Sequence, residues 1–308
     1  MADQSALLSE LSSRVVGRSR EIELVVAALA AHRHVLLEGP PGTGKSTLLR
    51  AVSGALGIGF EFVEGNAELT PARLVGHFDP ARVLNDGYSA EVFVDGPLVS
   101  ALRDGSLLYV EEINRIPEET LNVLITVMSE GEITVPRLGR VTATPGFRLV
   151  AAMNPFDAVG TARISGAVYD RCCRVAMSYQ SEQEELAIVR RALGPDAPEE
   201  SALRRIVEVT RLTRTHPDLR VGSSVRGAVD FAMVTGSLAS VRGSRPDDAG
   251  VSLDAALVAL SGRVRVREGG TRTAEEIITD IWRSVFERPE GGSDGGKAPA
   301  PARGTSSR

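Results

Sequence analysis

The sequence has few cysteines, no long apolar run and no surplus of basic residues. Its two cysteines, Cys172 and Cys173, are neighbours with no Cys or His cluster around them, which excludes a disulfide framework and a zinc site. No apolar run approaches the roughly 20 residues of a membrane span, and the polar start of the chain does not resemble a signal peptide. The net charge of -5 argues against a nucleic-acid partner. Together these absences predict a cytoplasmic protein with no membrane span.

The 308 residues, 43% of them hydrophobic, suffice for one large and one smaller domain. Through residue 180, short apolar strands alternate with helical segments, and such βαβ alternation is typical of a parallel sheet with crossover helices. The predicted strands are His34 to Glu38, Phe60 to Glu64, Ser106 to Glu112, Phe147 to Asn154 and Arg174 to Met177. We therefore predict an α/β domain with a five-stranded parallel sheet over residues 1–180.

Two segments of this region do not fit the alternation and predict β-hairpins. In 83–94, Asn85, Asp86 and Gly87 offer turn residues between short apolar stretches. In 133–144, a second hairpin follows a predicted helix over 117–129. For both segments, a plain connection between elements is an open alternative.

After residue 180 the apolar residues recur at helical spacing throughout. The predicted helices are Glu182 to Leu193, Ser201 to Thr215, Val225 to Ser237, Leu253 to Leu260 and Thr273 to Phe286. We expect a small all-helical lid domain over 181–288. A disordered tail is expected over 289–308, because its Gly, Pro, Ser and Ala residues leave little to bury.

The strongest motif in the sequence is a phosphate loop. Residues 39–46, GPPGTGKS, match G-x-x-x-x-G-K-[ST] between a predicted buried strand and a predicted helix, a context that disfavours an accidental match. Backbone N–H groups of such a loop surround phosphate oxygens, while Lys45 contacts the β- and γ-phosphates and Ser46 holds Mg²⁺. The residues expected to bind ATP here are Gly39, Pro40, Pro41, Gly42, Thr43, Gly44, Lys45, Ser46 and Thr47.

Two acids and an amide follow the next buried strands. Glu111 and Glu112 end LLYVEE, which resembles a Walker B strand, where the first acid organises Mg²⁺ and the second polarises the attacking water. The first acid of that pattern is usually Asp, so Glu111 is a departure that could alter Mg²⁺ coordination. Asn154 closes the following strand at the same expected sheet edge and is a sensor candidate. The alternatives are a solvated acidic pair and a turn residue before proline.

Four segments in this order, GPPGTGKS, LLYVEEINRIPEETLNVLITVMSEGEITV, FRLVAAMNP and YDRC, resemble the MoxR family of AAA+ ATPases over about 15–226. That family belongs to the helix-2-insert clade and is related to the magnesium chelatase ATPase subunit and to gas-vesicle and cofactor-insertion ATPases. The resemblance implies a P-loop AAA+ core followed by a helical lid. It also implies that Val16 and Gly17 lie near the adenine, that 83–94 is the helix-2 insert, and that 133–144 is the pre-sensor hairpin.

Two arginines acquire roles through the same resemblance. Arg171, in Tyr169-Asp170-Arg171, matches the arginine finger that reaches the γ-phosphate of a neighbouring subunit, although Arg163 or Arg174 are open alternatives. Arg226, in GSSVRGAVD, matches the sensor-2 arginine, with Ser223 or Ser224 as the expected helix cap. Without the resemblance, an arginine on a helix is more often a surface residue.

The resemblance implies a Mg²⁺-dependent ATPase that works as a ring, usually a hexamer. Such a ring, with a von Willebrand factor A domain partner, remodels, assembles, matures or metallates a client protein. A magnesium chelatase motor and a gas-vesicle assembly factor are narrower versions that no residue excludes. A nucleotide-gated scaffold with slow or no hydrolysis is the main alternative, because of Glu111. A nucleic-acid motor is disfavoured by the acidic balance and by an insert with only Arg82, at its margin, as a basic residue.

Overall fold

The computed structural model describes residues 4–155 and 166–288. Helices α1 to α13 are Gln4–Arg14, Ser19–Ala30, Lys45–Leu56, Pro71–Val75, Pro80–Asp86, Pro97–Asp104, Glu118–Glu130, Gly166–Arg171, Glu182–Leu193, Glu200–Thr215, Val225–Arg242, Ala249–Leu260 and Ala274–Phe286. Strands β1 to β11 are His34–Glu38, Phe60–Glu64, Gly76–Phe78, Phe93–Asp95, Leu107–Glu111, Glu132–Val135, Gly139–Thr142, Arg148–Met153, Cys172–Ala176, Leu219–Val221 and Arg265–Val266.

The central element is a five-stranded parallel sheet, as the sequence predicted, and its strand order is β2-β5-β8-β1-β9. Its strands read as continuous apolar runs because helices cover both faces. Leu36 and Leu108 lie in one buried core, beneath α6 and α7, while Leu37 and Tyr109 lie in a second core, beneath α2 and α3. This is the AAA+ P-loop NTPase fold.

The carboxyl ends of β1, β5 and β8 meet at one edge of the sheet. Glu38 at the end of β1 is in register with Met153 at the end of β8, and the Gly39 amide donates to the Met153 carbonyl at 3.1 Å. Val110 of β5 pairs with Ala151 of β8 in the same parallel sense. The phosphate loop, the two acids and Asn154 therefore all follow strands that end side by side.

One hairpin prediction is confirmed and the other is wrong. Strands β6 and β7 form the predicted hairpin, with Ile133 opposite Val141. Residues 83–94 instead contain the end of α5, which Asp79 caps by accepting from the Ala81 amide at 2.9 Å. The Asn85-Asp86 pair closes that helix and Gly87 follows it. The flanking pairing is between β3 and β4, because an Asp-Pro start favours a helix over a second short strand.

The region after residue 180 has its own buried core, formed by α9 to α13. It is not wholly helical, since β10 and β11 form a small antiparallel pair. The predicted helices are present, and α12 begins earlier than expected because Asp248 caps it, accepting from Gly250 and Val251. The predicted tail over 289–308 lies outside the described residues. Within the described ranges, no helix is both long enough and apolar enough to cross a bilayer.

Candidate nucleotide-binding site

The phosphate loop connects the end of β1 to the start of α3. Gly42 and Gly44 have φ of +72° and +86°, a left-handed conformation that side chains disfavour, and Gly44 directly precedes the helix. Thr43 is fully buried, and its hydroxyl donates to the Pro40 carbonyl at 2.9 Å. The two glycines and this internal hydrogen bond hold the loop curved at the N-terminus of α3, which is a ready anion-binding geometry.

Lys45 occupies the inside of this loop. Its Nζ donates to the carbonyls of Gly39 at 2.9 Å and Pro40 at 2.8 Å, and the side chain is 8% exposed. Burial lowers the pKa of Lys45 to about 8, against the opposing effect of the Glu111 carboxylate. A buried ammonium held by neutral carbonyls can exchange them for phosphate oxygens, as the predicted role requires.

Ser46 and Glu111 come together where the sequence predicted a metal site. The Ser46 hydroxyl donates to Glu111 Oε1 at 3.1 Å, and the Tyr109 hydroxyl lies 3.3 Å from Ser46 Oγ. A hydroxyl and a carboxylate are oxygen ligands that suit Mg²⁺, which retains water and phosphate oxygens for its other positions. In the described ranges, no cluster of three or more His, Cys, Asp or Glu side chains forms an all-protein metal site. The residues present therefore fit Mg²⁺ bound together with a nucleotide.

Glu112 leaves the strand in an unusual conformation. Its φ of +52° and ψ of +43° are left-handed, and its carboxylate pairs with Arg115 at 3.0 Å. Gly65 makes this turn possible, since an added Cβ there would lie 2.4 Å from the Glu112 carbonyl oxygen. Strained residues of this kind cluster at functional sites. Asn154 is half-buried and lies one residue beyond the β8 end that bonds to Gly39.

A cavity of about 620 Å³ extends from the phosphate loop towards the helical region after residue 180. Val15, Val16 and Ile188 line it together with Gly42, Gly44 and Thr47, whereas Gly17 is outside the lining. This volume is in the range of small-molecule sites. Gln180 also lines it, and the buried Gln180 Oε1 has no hydrogen-bond partner among the described residues. An unpaired buried acceptor beside an apolar-walled cavity fits a ligand that carries donors, such as a nucleobase.

Arg226 lines the same cavity at the start of α11. Ser224, the residue at the N-cap position, forms no side-chain cap bond, so the expected serine cap is wrong. Arg214 instead fixes this turn by donating to the Ser223 carbonyl at 2.6 Å, while the fully buried Glu185 carboxylate accepts from Arg214 at 2.7 Å. Arg226 is thus placed at the cavity by a buried ion pair within the lid.

Arg171 lies at the end of α8, away from the chain's own cavity, of which it is not a lining residue. It donates to the Ser129 hydroxyl and, at 3.0 Å, to the Ala167 carbonyl. Arg174, the first alternative, is ion-paired with Glu38 of the same chain. Arg163, the second alternative, lies outside the described residues.

Residues 34–172 match the family model of the AAA domain, dynein-related subfamily. The uncharacterized protein YeaC of Bacillus subtilis is 28% identical over 243 residues, which cover 70% of this chain and 73% of YeaC. An uncharacterized protein of Staphylococcus aureus USA300 is 30% identical over 194 residues, which cover 62% of this chain and 70% of that protein. The chain belongs to the AAA+ ATPases.

One further relative and two solved structures also resemble this AAA+ ATPase. An uncharacterized Staphylococcus haemolyticus protein is 34% identical over 150 residues, and the chain spans 56% of it. A crystal structure of a candidate ATPase from Cytophaga hutchinsonii superposes with a TM-score of 0.53 at 20% identity, covering 92% of this chain and 94% of that one. The RuvB Holliday junction branch migration motor of Thermotoga maritima gives 0.51 at 19%, covering 83% and 69%. At these identities the superpositions show the fold alone.

Arg18 is a site residue of this AAA+ ATPase that sequence reasoning missed. It is 2% exposed, and its guanidinium donates to the Thr43 carbonyl at 2.9 Å and the Ser178 carbonyl at 2.7 Å while pairing with Glu21. It therefore links the phosphate loop to the segment that follows β9. Its only sequence signal is its position directly after the Val16-Gly17 segment, because 160 residues separate Arg18 from Ser178.

Proposed function

We propose that this AAA+ ATPase is a member of the MoxR family that hydrolyses ATP, with Mg²⁺, as part of a ring and uses the cycle to remodel a partner protein. One observation carries the proposal. The chain's own site contains the phosphate loop, the Ser46–Glu111 pair and Arg226, whereas Arg171 is directed to Ser129 and Ala167 on another part of the surface. A finger arginine in that position serves a neighbouring copy.

Within one subunit, one group of residues binds the nucleotide and a second group activates the attacking water. The base enters the cavity beside Val16, and the triphosphate lies along the loop, where Lys45 exchanges its carbonyl partners for the β- and γ-phosphates. Ser46 and Glu111 hold Mg²⁺, which when bound neutralises charge on those phosphates. Glu112 accepts a hydrogen bond from the attacking water after releasing Arg115, and Asn154 orients the same water from the neighbouring strand end.

The second half of the proposal concerns the neighbour. Arg171, at the end of α8, donates to the γ-phosphate held by the adjacent subunit and stabilises the charge that develops there. Hydrolysis then requires assembly, usually into a hexamer in proteins of this kind. A von Willebrand factor A domain partner and a protein client follow from the family resemblance alone, as does a cytoplasmic location.

We propose that the partner binds a surface that includes two insertions in the core, the segment 83–94 and the hairpin 133–144. The tip of the β6–β7 hairpin reaches the segment between α5 and β4, where Arg137 lies 3.8 Å over the Tyr88 ring. Leu84, on α5 before this segment, is 87% exposed. A cation–π contact of this kind couples the two insertions, so that movement of one is transmitted to the other.

A second candidate function is a nucleotide-gated scaffold with slow turnover. The Glu112–Arg115 ion pair at 3.0 Å favours it, since this carboxylate must leave Arg115 before it can accept a hydrogen bond from the attacking water. In that case ATP drives assembly without measurable hydrolysis.

Steady-state ATPase activity measured against protein concentration, with sedimentation of the same samples with and without ATP, tests the proposal. For a hydrolysing ring, activity per subunit rises together with the assembled fraction. ATP-dependent assembly without phosphate release supports the scaffold. Full specific activity in a sedimenting monomer rejects a trans-acting Arg171.

A further inference from the structure

A buried carboxylate links the phosphate loop to the segment that carries Arg171. Glu38 is the last residue of β1, immediately before the loop, and is 6% exposed. Its Oε1 accepts from the Tyr169 hydroxyl at 2.9 Å, and its Oε2 is ion-paired with Arg174. The two partners flank Arg171 in the sequence, two residues before it and three after it. Both bonds of this carboxylate therefore lead to the Arg171 segment.

We propose that Tyr169 is a positioning residue that ties the short helix bearing Arg171 to the strand end beneath the phosphate loop. Through this tie, the nucleotide state of a subunit's own site governs how that subunit presents Arg171 to its neighbour. The inference rests on the proposed function, in which Arg171 acts across the subunit boundary.

The orientation of α8 depends strongly on this contact, because the helix is short. The helix has six residues and is too short to be stable by itself, so its orientation depends on tertiary contacts. Val168 is fully buried in the core, Tyr169 bonds to Glu38, and Arg171 donates to Ser129 on α7. Removal of the Tyr169 hydroxyl deletes the hydrogen bond to Glu38, at the end of the strand that precedes the phosphate loop.

The other end of the tie lies next to groups that ATP must displace. Lys45 Nζ is held by the carbonyls of Gly39 and Pro40, the two residues that follow Glu38. When Lys45 transfers to phosphate oxygens, these peptides lose their charged donor and adjust. Because the Glu38 carbonyl accepts from the Met177 amide at 2.7 Å, β9 is bonded to the same strand end. The adjustment therefore reaches the Arg171 segment through both a backbone and a side-chain bond.

The variant that tests this tie is Tyr169→Phe in the full-length protein, which keeps the ring and removes one hydroxyl. We expect kcat to fall about three- to tenfold, the effect of one lost hydrogen bond, with the KM for ATP changed less than about twofold. Thr279→Val, which removes a hydroxyl bonded to the Glu275 carbonyl within α13, is the matched control and leaves both parameters unchanged. A raised KM with unchanged kcat in Tyr169→Phe overturns the proposal.

Mixed rings distinguish an effect of Tyr169 on the neighbouring subunit's site from an effect on the site of its own subunit. A Tyr169→Phe subunit keeps an intact hydrolytic site, and a Glu112→Gln subunit keeps an intact Tyr169 and Arg171. In an equal mixture, activity per Tyr169→Phe subunit should rise about two- to fivefold. Half of these subunits then face a neighbour in which Tyr169 still positions Arg171. No rise places the effect of Tyr169 in its own subunit and overturns the proposal.

A second mixture in the same experiment tests the proposed function separately from the Tyr169 inference. Arg171→Ala mixed with Glu112→Gln tests the trans arginine without involving Tyr169. If that pair recovers activity and the Tyr169→Phe pair does not, only the Tyr169 inference fails. If the Arg171→Ala pair itself fails to recover, the trans role of Arg171 fails, whatever Tyr169→Phe does.

Discussion

Ser46 Oγ lies 3.1 Å from Glu111 Oε1, so the first acid of the β5 strand end reaches the phosphate-loop hydroxyl directly. Most Walker B strands have Asp at this position, and Glu is longer by one methylene. Here the longer side chain spans the distance between the end of β5 and the start of α3. The geometry of the proposed Mg²⁺ site therefore accommodates a Glu at this position.

Shortening this acid should weaken Mg²⁺ binding. In Glu111→Asp the carboxylate withdraws from Ser46, and we expect the Mg²⁺ concentration for half-maximal ATPase activity to rise about threefold or more. Titration of activity with Mg²⁺ at saturating ATP measures this. Glu130→Asp, an exposed shortening at the end of α7, is the control. An unchanged or lower Mg²⁺ requirement in Glu111→Asp contradicts the assigned fit.

The buried ammonium of Lys45 predicts a pH dependence of nucleotide binding. Its pKa of about 8 is depressed by burial, and bound phosphates favour the charged form. Lys45 in the free protein is protonated below pH 8 and loses its proton above it. ATP affinity should therefore hold steady up to about pH 7.5 and fall as pH rises through 8, with proton uptake on binding.

Calorimetric titrations with ATP in two buffers of different ionisation enthalpy, from pH 7 to 9, measure that uptake. Lys45→Arg, whose guanidinium stays charged throughout, should show weaker binding with no step in this range. Lys45→Ala should abolish binding. A flat affinity profile in the wild-type protein would show that Lys45 does not bind the phosphates in the expected way.

Gly42 should be intolerant of a side chain for two separable reasons. An added Cβ lies 2.2 Å from Ser224 Oγ, and φ is +72°. Gly57 has a similar φ of +63° but nothing within 4 Å, so Gly57→Ala isolates the backbone cost of about 1 kcal/mol. Gly42→Ala should carry this cost and in addition displace the segment bearing Arg226, weakening ATP binding at least tenfold.

A double mutant tests the steric half of that explanation. Ser224→Gly removes the opposing side chain, so Gly42→Ala/Ser224→Gly should recover most of the lost ATP affinity while keeping the backbone cost. Binding measured by titration with a fluorescent ATP analogue, alongside thermal unfolding, separates the two terms. Equal losses of affinity in Gly42→Ala with and without Ser224→Gly would show that the lid contact plays no part.

Much of this arrangement follows from short-range sequence signals. The order of apolar strands predicted the parallel sheet, and the loop motif together with the ends of β5 and β8 predicted that Lys45, Ser46 and Glu111 would meet. Contacts between distant segments carried no such signal. Arg18 with Ser178 and Tyr169 with Glu38 are separated by 160 and 131 residues, so no periodicity could pair them.

Two of the wrong local predictions have the same physical origin. The Asn85-Asp86-Gly87 sequence is as suitable for ending a helix as for turning a hairpin, and the Asp79 cap decided in favour of the helix. Ser224 occupies the cap position of α11, but the buried Glu185–Arg214 pair fixes that turn instead. In both places a residue outside the motif determined the local conformation.

The measurement that bears most directly on the account is the ATPase activity of Arg171→Ala and Glu112→Gln subunits, assayed alone and as an equal mixture. Each variant alone should bind ATP and show little turnover, because each ring lacks one half of every site. In the mixture, interfaces that join an intact Glu112 to a neighbour's intact Arg171 should restore about a quarter of wild-type activity. A mixture no more active than the two separate variants would contradict an arginine shared between subunits.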